Sequence, residues 1–458
     1  MRFQLKGGEF RMKLSRTDWM QWKVTLIASG GYFLDGYILG IIGPVLLAMN
    51  FEFQLSPYDH GLLASSILVG ILAGAVVFGY ITDKIGRQKL MIFDLAAFVI
   101  LSVCQFFVQD VSQLVLLRFL LGVAIGADYA LASPLVAEYT NKRNRGPMLA
   151  TVLTSFYVGY IGAVLVSIVL ADIGESAWRW MLLSSAIPAI IIFLLRLGIP
   201  ESPKWLINKG KIDEAREVVK KYLGEDLDPE TIRNEINKPT SYSMIFQKGY
   251  RQRLAFASIF WACQVAPYFA IFSFVPVVLE GLNIEDPLTG ELILNALVLF
   301  GAVIGCFLVN RVGRRKLMII PFAITIIPLT LLGLFPEGNS LFVIICFGVY
   351  ALAYSVQSVL QSVYPPELFP TEIRGTAMGF ASGASRIGAA IGTYLLPIGI
   401  ATIGIGPSML FGSAILLFGT VISIMWAPET ANMSLEETSA LSGTEASVQN
   451  KTILGANQ

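Results

Sequence analysis

The stretch GYITDKIGRQK, Gly79 to Lys89, sets one acid, three bases and two glycines between two apolar runs. Its core, DKIGRQK (Asp83–Lys89), returns 227 residues later as NRVGRRK (Asn310–Lys316). PES at Pro200 returns as PET at Pro428, 228 residues on. Glu138 with Arg145 and Gly146 returns as Glu367 with Arg374 and Gly375, at an offset of 229. Three motifs repeating at nearly one spacing describe a chain built twice.

The runs between these motifs suit lipid. Of 458 residues, 55% are hydrophobic and 14% charged, at a mean hydropathy of +0.67; a soluble chain carries about 25% charged residues. No globular core hides that much apolar surface, so the chain reads as an integral membrane protein. A spanning helix needs about 20 mainly apolar residues, and this ruler finds twelve, the first centred near Gly36 and the last near Leu416. The connectors near Asn50, Gln109, Asp172, Gly281, Pro336 and Gly404 hold no lysine or arginine. The alternate connectors are dense in them: DKIGRQK, NKRNRG from Asn141, NRVGRRK, and the segment from Lys204 to Arg253. The positive-inside rule then places both termini in the cytoplasm of a multi-pass cell-membrane protein.

The expected organisation is all-α. A cytoplasmic N-terminal segment (1–21) leads into a six-helix bundle (22–199). A cytoplasmic linker (200–252), a second six-helix bundle (253–427) and a cytoplasmic tail (428–458) follow. In the linker, KIDEAREVVKKYLG puts Ile212, Ala215, Val218, Val219 and Tyr222 on one face, the pattern of an amphipathic helix at the membrane surface. The polar tail after Glu437 is expected to be disordered, and the basic start carries no apolar run of leader type. Cys104, Cys263, Cys306 and Cys346 fall in apolar spans without metal or disulfide spacing, and His60 is the single histidine. No metal or cofactor site emerges. There is no G-x-x-x-x-G-K-[ST] phosphate loop for ATP-driven chemistry, and no nucleophile–histidine pair for an enzyme. A net charge of +1 offers nothing to nucleic acid.

Gly79 to Gln88, its echo at Asn310, PESPKWL at Pro200 and PETANMSLEE at Pro428 resemble signatures of the major facilitator superfamily. Within it they are similar to the sugar-porter-like clan of sugar, phosphate, organic-ion and aromatic-acid transporters. The resemblance covers nearly the whole chain. It implies two six-helix repeats, alternating access with substrate near the midplane, and a monomer. Subfamily features point in several directions. Arg118, Glu138, Arg145 and Gly146 follow the sugar porters, while Gly126-Ala127-Asp128-Tyr129 looks more like the phosphate–proton symporters. Where sugar porters carry a Gln-Gln pair and an Asn in the seventh helix, this chain has Cys263, Gln264 and Phe269. The segment Tyr364–Gly392, with Arg386, is most similar to the niacin, aromatic-acid and organic-anion branch.

Charges within spans default to a functional reading, and Asp35, Arg118, Asp128 and Arg386 stand out. Asp35 lies 13 residues beyond Trp22, ~20 Å into its helix. Arg118 lies ~9 Å below the outer end of the fourth helix by the same rise. The two are expected to meet. In sugar porters the matching pair couples protonation to transport, and the resemblance implies that role here; the alternative is a permanent pair pinning two helices. Asp128 is expected either as a second proton site or as a carboxylate bonded to bundle hydroxyls. Arg386 shares a face with Ser382 and Thr393. A guanidinium grips carboxylate or phosphate oxygens bidentately, so Arg386 favours an anionic substrate unless it pairs with Asp128 or another internal acid.

Tyr354, Gln357, Gln361 and Tyr364 form a polar stripe on the tenth helix. With Gln264, Tyr268, Tyr157 and Tyr160 they are expected to line a central cavity suited to an aromatic or sugar-like solute. The superfamily resemblance implies a cytoplasmic gate of Asp83, Arg87, Glu138, Arg145 and Glu201, mirrored by Asn310, Arg314, Glu367, Arg374 and Glu429. Asn310 replaces the expected acid there. The expected function is proton-coupled symport of a small organic anion, an aromatic or other carboxylate with phosphate as a variant, the proton being the coupling ion. A proton-coupled sugar symporter is the alternative, and a passive uniporter or transporter-like sensor stands behind it.

Overall fold

A computed structural model describes residues 16–139, 145–197, 201–222, 226, 245–247, 249–281 and 286–431, with helices throughout and no strand among them. Twelve helical stretches are long and apolar enough to cross a membrane, at the positions the hydropathy ruler predicts. In the first half they are α1 (Arg16–Gly40) continued by α2 (Ile42–Phe53), α3 (Pro57–Ile85), α4 (Arg87–Phe106), α5 (Val111–Tyr139), α6 (Arg145–Leu170), and α7 (Ala177–Ser184) continued by α8 (Ala186–Arg196). Two short helices, α9 (Pro203–Asn208) and α10 (Ile212–Tyr222), follow in the linker. The second half begins with α11 (Tyr250–Phe272), extended by α12 (Val275–Gly281), then α13 (Pro287–Val312) and α14 (Arg314–Leu334). It ends with α15 (Ser340–Ser358) continued by α16 (Leu360–Glu367), α17 (Thr371–Ile403) and α18 (Ile405–Trp426). Outward side chains such as Phe93, Phe307 and Met425 are about two-thirds exposed, as suits a lipid-facing surface.

Proline places several of the breaks, because it has no N–H to give the carbonyl four residues back. Pro44 follows the α1/α2 joint and Pro188 the α7/α8 joint. Pro276 leaves the Phe272 carbonyl without an intrahelical donor, and Tyr160 of α6 fills it with its hydroxyl at 3.2 Å. That bond ties the two halves together.

Glycine sets the closest approach. A Cβ on Gly70 of α3 would stand 2.1 Å from the Phe119 carbonyl oxygen of α5, and one on Gly122 of α5 would stand 2.1 Å from that of Ile67. The glycines preceding Asp128 therefore serve a neighbouring helix.

Between the halves, α3 packs on α17, α6 on α13 and α2 on α12. Several contacts lie on the side away from the chain ends, called here the far side. His60 stacks on Phe274, Gly61 abuts Tyr394, and Gly43 abuts Pro276. Nearer the terminal side of α17, no atom of the described residues outside the adjoining backbone stands within 4 Å of where a Cβ on Gly375 or Gly379 would be.

The repeated motifs build matching corners on the terminal side. Gly86 and Gly313 adopt φ of +104° and +88°, turning the chain into α4 and α14. Glu201 accepts the main-chain N–H groups of Arg87 and Gln88 at 2.8 and 3.2 Å. Glu429 accepts those of Arg314 and Arg315 at 2.9 and 3.2 Å. Each PES or PET carboxylate thus occupies the positive end of a helix. Partial burial works to raise the Glu429 pKa, but the N–H groups of Ala431, Arg314, Arg315 and Thr430 outweigh it and hold the carboxyl below its ordinary value.

The amphipathic helix departs from expectation. α10 buries Ala215, Val219 and Tyr222 against protein: Ala215 meets Leu206 and Ile207 of α9, and Tyr222 packs with Val24, Ile27, Leu90 and Met91. The apolar face that suits a membrane surface equally suits the base of the first bundle. The tail after Glu437 lies outside the described residues.

Candidate transport site

Asp35 is fully buried about midway along the span formed by α1 and α2, and neither carboxylate oxygen has a hydrogen-bond partner among the described residues. Around it α5 brings Asp128, α4 Asp94 and α8 Arg196, all buried. Arg196 Nη1 donates to Asp128 Oδ1 at 2.6 Å and stands 3.6 Å from Asp94 Oδ2. Gly31, one turn before Asp35, makes this arrangement fit. A Cβ there would lie 2.0 Å from Asp128 Oδ2 and 2.1 Å from Arg196 Nη2, so the backbone of α1 lies directly against the ion pair.

The expected Asp35–Arg118 pair is absent in this conformation. Arg118 is fully buried, but its guanidinium donates to main-chain carbonyls: Nε to Leu63 at 3.1 Å and Nη2 to Ile38 at 3.4 Å. Comparing depths alone left out the rotation of α1. Its Gly31–Asp35 face turns toward α5 and α8, and Arg118 meets the chain nearer the α1/α2 joint. Asp128 is likewise held neither by hydroxyls nor by Arg386; its partner is Arg196.

Arg386 lies between the halves, half-buried, with its guanidinium carbon 5.4 Å from the Tyr129 ring and 5.5 Å from the Phe269 ring. It makes no ion pair among the described residues, and its buried Nε has no hydrogen-bond partner. Tyr268 lies flat on Tyr354, ring centres 4.0 Å apart and 4° from parallel. Gln361 donates to Gln264 at 3.0 Å, and Tyr157 donates across the halves to Ser358 at 3.0 Å. Among the described residues the Gln264 amide nitrogen, the Tyr268 hydroxyl and the Thr393 hydroxyl are buried without partners. Gln357 departs from its expected place, since its amide donates to the Met318 carbonyl of α14 at 3.2 Å. Tyr364 reaches the Pro428 carbonyl. A turn at Val359 separates α15 from α16, and the four stripe residues do not share one lining: Gln357 goes to Met318 and Tyr364 to Pro428, while Gln361 meets Gln264.

Of the expected gate, Arg314 pairs with Glu367 at 2.9 Å, while Arg374 Nε donates to the Phe369 carbonyl at 3.2 Å. Glu201 and Glu429 are engaged by main-chain N–H groups as helix caps, and Arg87 presents its own N–H to Glu201. The side chains of Asp83, Glu138, Arg145 and Asn310 lie outside the described residues.

Sequence reasoning passed over Asp94, Arg196 and Glu291. Asp94 interrupts an apolar span just as Asp35 does, so the same test would have flagged it. Arg196 closes the sixth span and reads there as a flanking base. Glu291, in the first turns of α13, is fully buried, and neither of its oxygens has a partner among the described residues. Its neighbourhood of Asp286 and Thr289 made it look like connector.

Two repeated six-helix bundles, with acids and guanidinium groups buried near the seam, define a secondary transporter of the major facilitator fold. Residues 23–441 match the family described as sugar (and other) transporter, and the chain belongs to that family. It is similar to the putative metabolite transport protein YaaU of Escherichia coli K12, 38% identical over 91% of this chain and 94% of that one. The inner membrane metabolite transport protein YgcS of the same organism is 35% identical over 90% and 92%. The fold is similar to the xylose transporter XylE from E. coli in a partially occluded inward-open conformation. The TM-score is 0.78 at 20% identity, over 90% of this chain and 98% of that one.

Proposed function

We propose that this transporter couples protons to the symport of a small organic anion, an aromatic or other carboxylate, with both termini in the cytoplasm. Arg386 carries the reading. Asp128 is already matched by Arg196, which leaves the Arg386 charge between two ring faces with no ion pair among the described residues, Asp35 bearing on it without pairing. A guanidinium so placed offers planar donors to a carboxylate, and Tyr129 and Phe269 offer faces to an aromatic body. Phosphate presents similar oxygens but makes no use of the rings. Asp35, buried and unpaired, supplies a carboxyl whose charge a proton cancels.

A neutral sugar is the second reading. XylE is a proton:xylose symporter, and the Gln264–Gln361 amide pair suits hydroxyls.

The test is charge displacement in proteoliposomes on a solid-supported membrane, challenged with benzoate, nicotinate, phosphate, xylose and glucose at several pH values. Currents with a carboxylate that vanish in Arg386→Ala are the expected result. Currents with sugars alone would overturn the anion reading.

A further inference from the structure

Asp94 has no part in the reading above. It stands seven residues into α4, counted from Arg87, ~10 Å from the terminal-side end of that helix. Its Oδ1 accepts the Leu95 N–H at 2.6 Å. Its Oδ2 has no hydrogen-bond partner and points at Arg196 Nη1 from 3.6 Å, while Asp128 holds that nitrogen at 2.6 Å. Two buried carboxylates therefore share one guanidinium.

A guanidinium keeps its proton. With both acids ionised, the triad holds an uncompensated negative charge where charge is costly. With one acid protonated it is neutral, and two carboxyls sharing one site divide a single proton in this way. The distances choose the acid: Asp128 holds the guanidinium by a charge-assisted hydrogen bond at 2.6 Å, whereas Asp94 faces it from 3.6 Å and has only the neutral Leu95 N–H on its other oxygen. The charged groups facing Asp94 are Arg196 of α8 and Asp128 of α5. Asp35 of α1 interacts with Asp94 as well as with both members of that pair, and Arg386 of α17 also bears on it.

We propose that Asp94 is a proton-carrying residue, holding one proton beside the Asp128–Arg196 pair as a second protonation site separate from Asp35. Its use in transport rests on the proton-coupled reading; its protonation does not.

The experiment needs no substrate. Infrared spectroscopy of the full chain in lipid, over a pH series, reads the carbonyl stretch of buried protonated carboxyls. The expected result, in a Glu291→Gln background that removes the buried, unpartnered acid of α13, is a band at neutral pH that survives Asp35→Asn and is lost in Asp94→Asn. It is also lost in Asp128→Asn, because Asp94 then takes Arg196 for itself and ionises. Asp94→Asn leaves a one-to-one ion pair and so should fold; Asp94→Glu, which keeps the acid, should shift the band. Absence of a band beyond the one Asp35→Asn removes, or its persistence unshifted in the Asp94 variants, would overturn the proposal. If no tested solute draws current, the proton-coupled reading fails while the infrared result stands.

Discussion

At Gly31 a Cβ would come within 2.0 Å of Asp128 Oδ2 and 2.1 Å of Arg196 Nη2, both fully or almost fully buried. Gly31→Ala is expected to push the pair apart, with a cost approaching the roughly 3–5 kcal/mol of breaking a buried ion pair. Thermal unfolding in detergent, followed by tryptophan fluorescence, should show a clearly lowered midpoint; an unchanged midpoint would mean that α1 does not press on the pair. Asp35→Asn tests a different property. It removes a charge that has no hydrogen bond to lose, so folding should hold. Uptake against a gradient should disappear while exchange of solute across the membrane continues. Undiminished accumulation would remove Asp35 from the coupling.

At the scale of the element, the PES and PET carboxylates act as caps. Glu429→Gln exchanges a full charge at the start of α14 for an amide, a loss of about 1 kcal/mol on the scale of caps and helix-end charges. Faster hydrogen exchange of the Arg314 and Arg315 amides should report it. The pH sign follows from the depressed Glu429 pKa. The stabilisation is complete above the ordinary glutamate value of 4.5 and is lost as pH falls below it, through the folded-state value. Glu429→Gln should flatten that acid-side loss; an unaltered slope would assign the loss to other acids.

The whole molecule turns on how its halves meet. Tyr160 reaches the carbonyl that Pro276 leaves open, His60 stacks on Phe274, and Tyr157 holds Ser358. Alternating access requires such contacts to be broken and remade between states. Tyr160→Phe deletes one buried hydrogen bond, about 0.5–1.5 kcal/mol, and leaves the Phe272 carbonyl unmatched. Spin labels on the far-side ends of α3 and α17 should then show a larger share of long distances by electron–electron resonance. Unchanged distances would mean that packing alone closes the far side.

Reading along the chain recovered the twelve spans, their doubling and the positions of the corner motifs, because span length, hydropathy and repeat spacing are properties of neighbours in sequence. It also named Asp35, Arg118, Asp128 and Arg386 as charges with no reason to lie in lipid except a partner or a task. It did not recover the partners. Arg118 goes to the Leu63 and Ile38 carbonyls, Asp128 to an arginine at the far end of the bundle's chain, and Gln357 to α14. A partner depends on helix rotation, depth and separation, which are set by glycine contacts and proline-linked breaks. Those are facts of packing between segments distant in the chain. Neighbouring residues thus suffice to specify a doubled, membrane-spanning transporter with charges in its interior, whereas which of those charges neutralise one another follows from the packing of helices far apart in the chain.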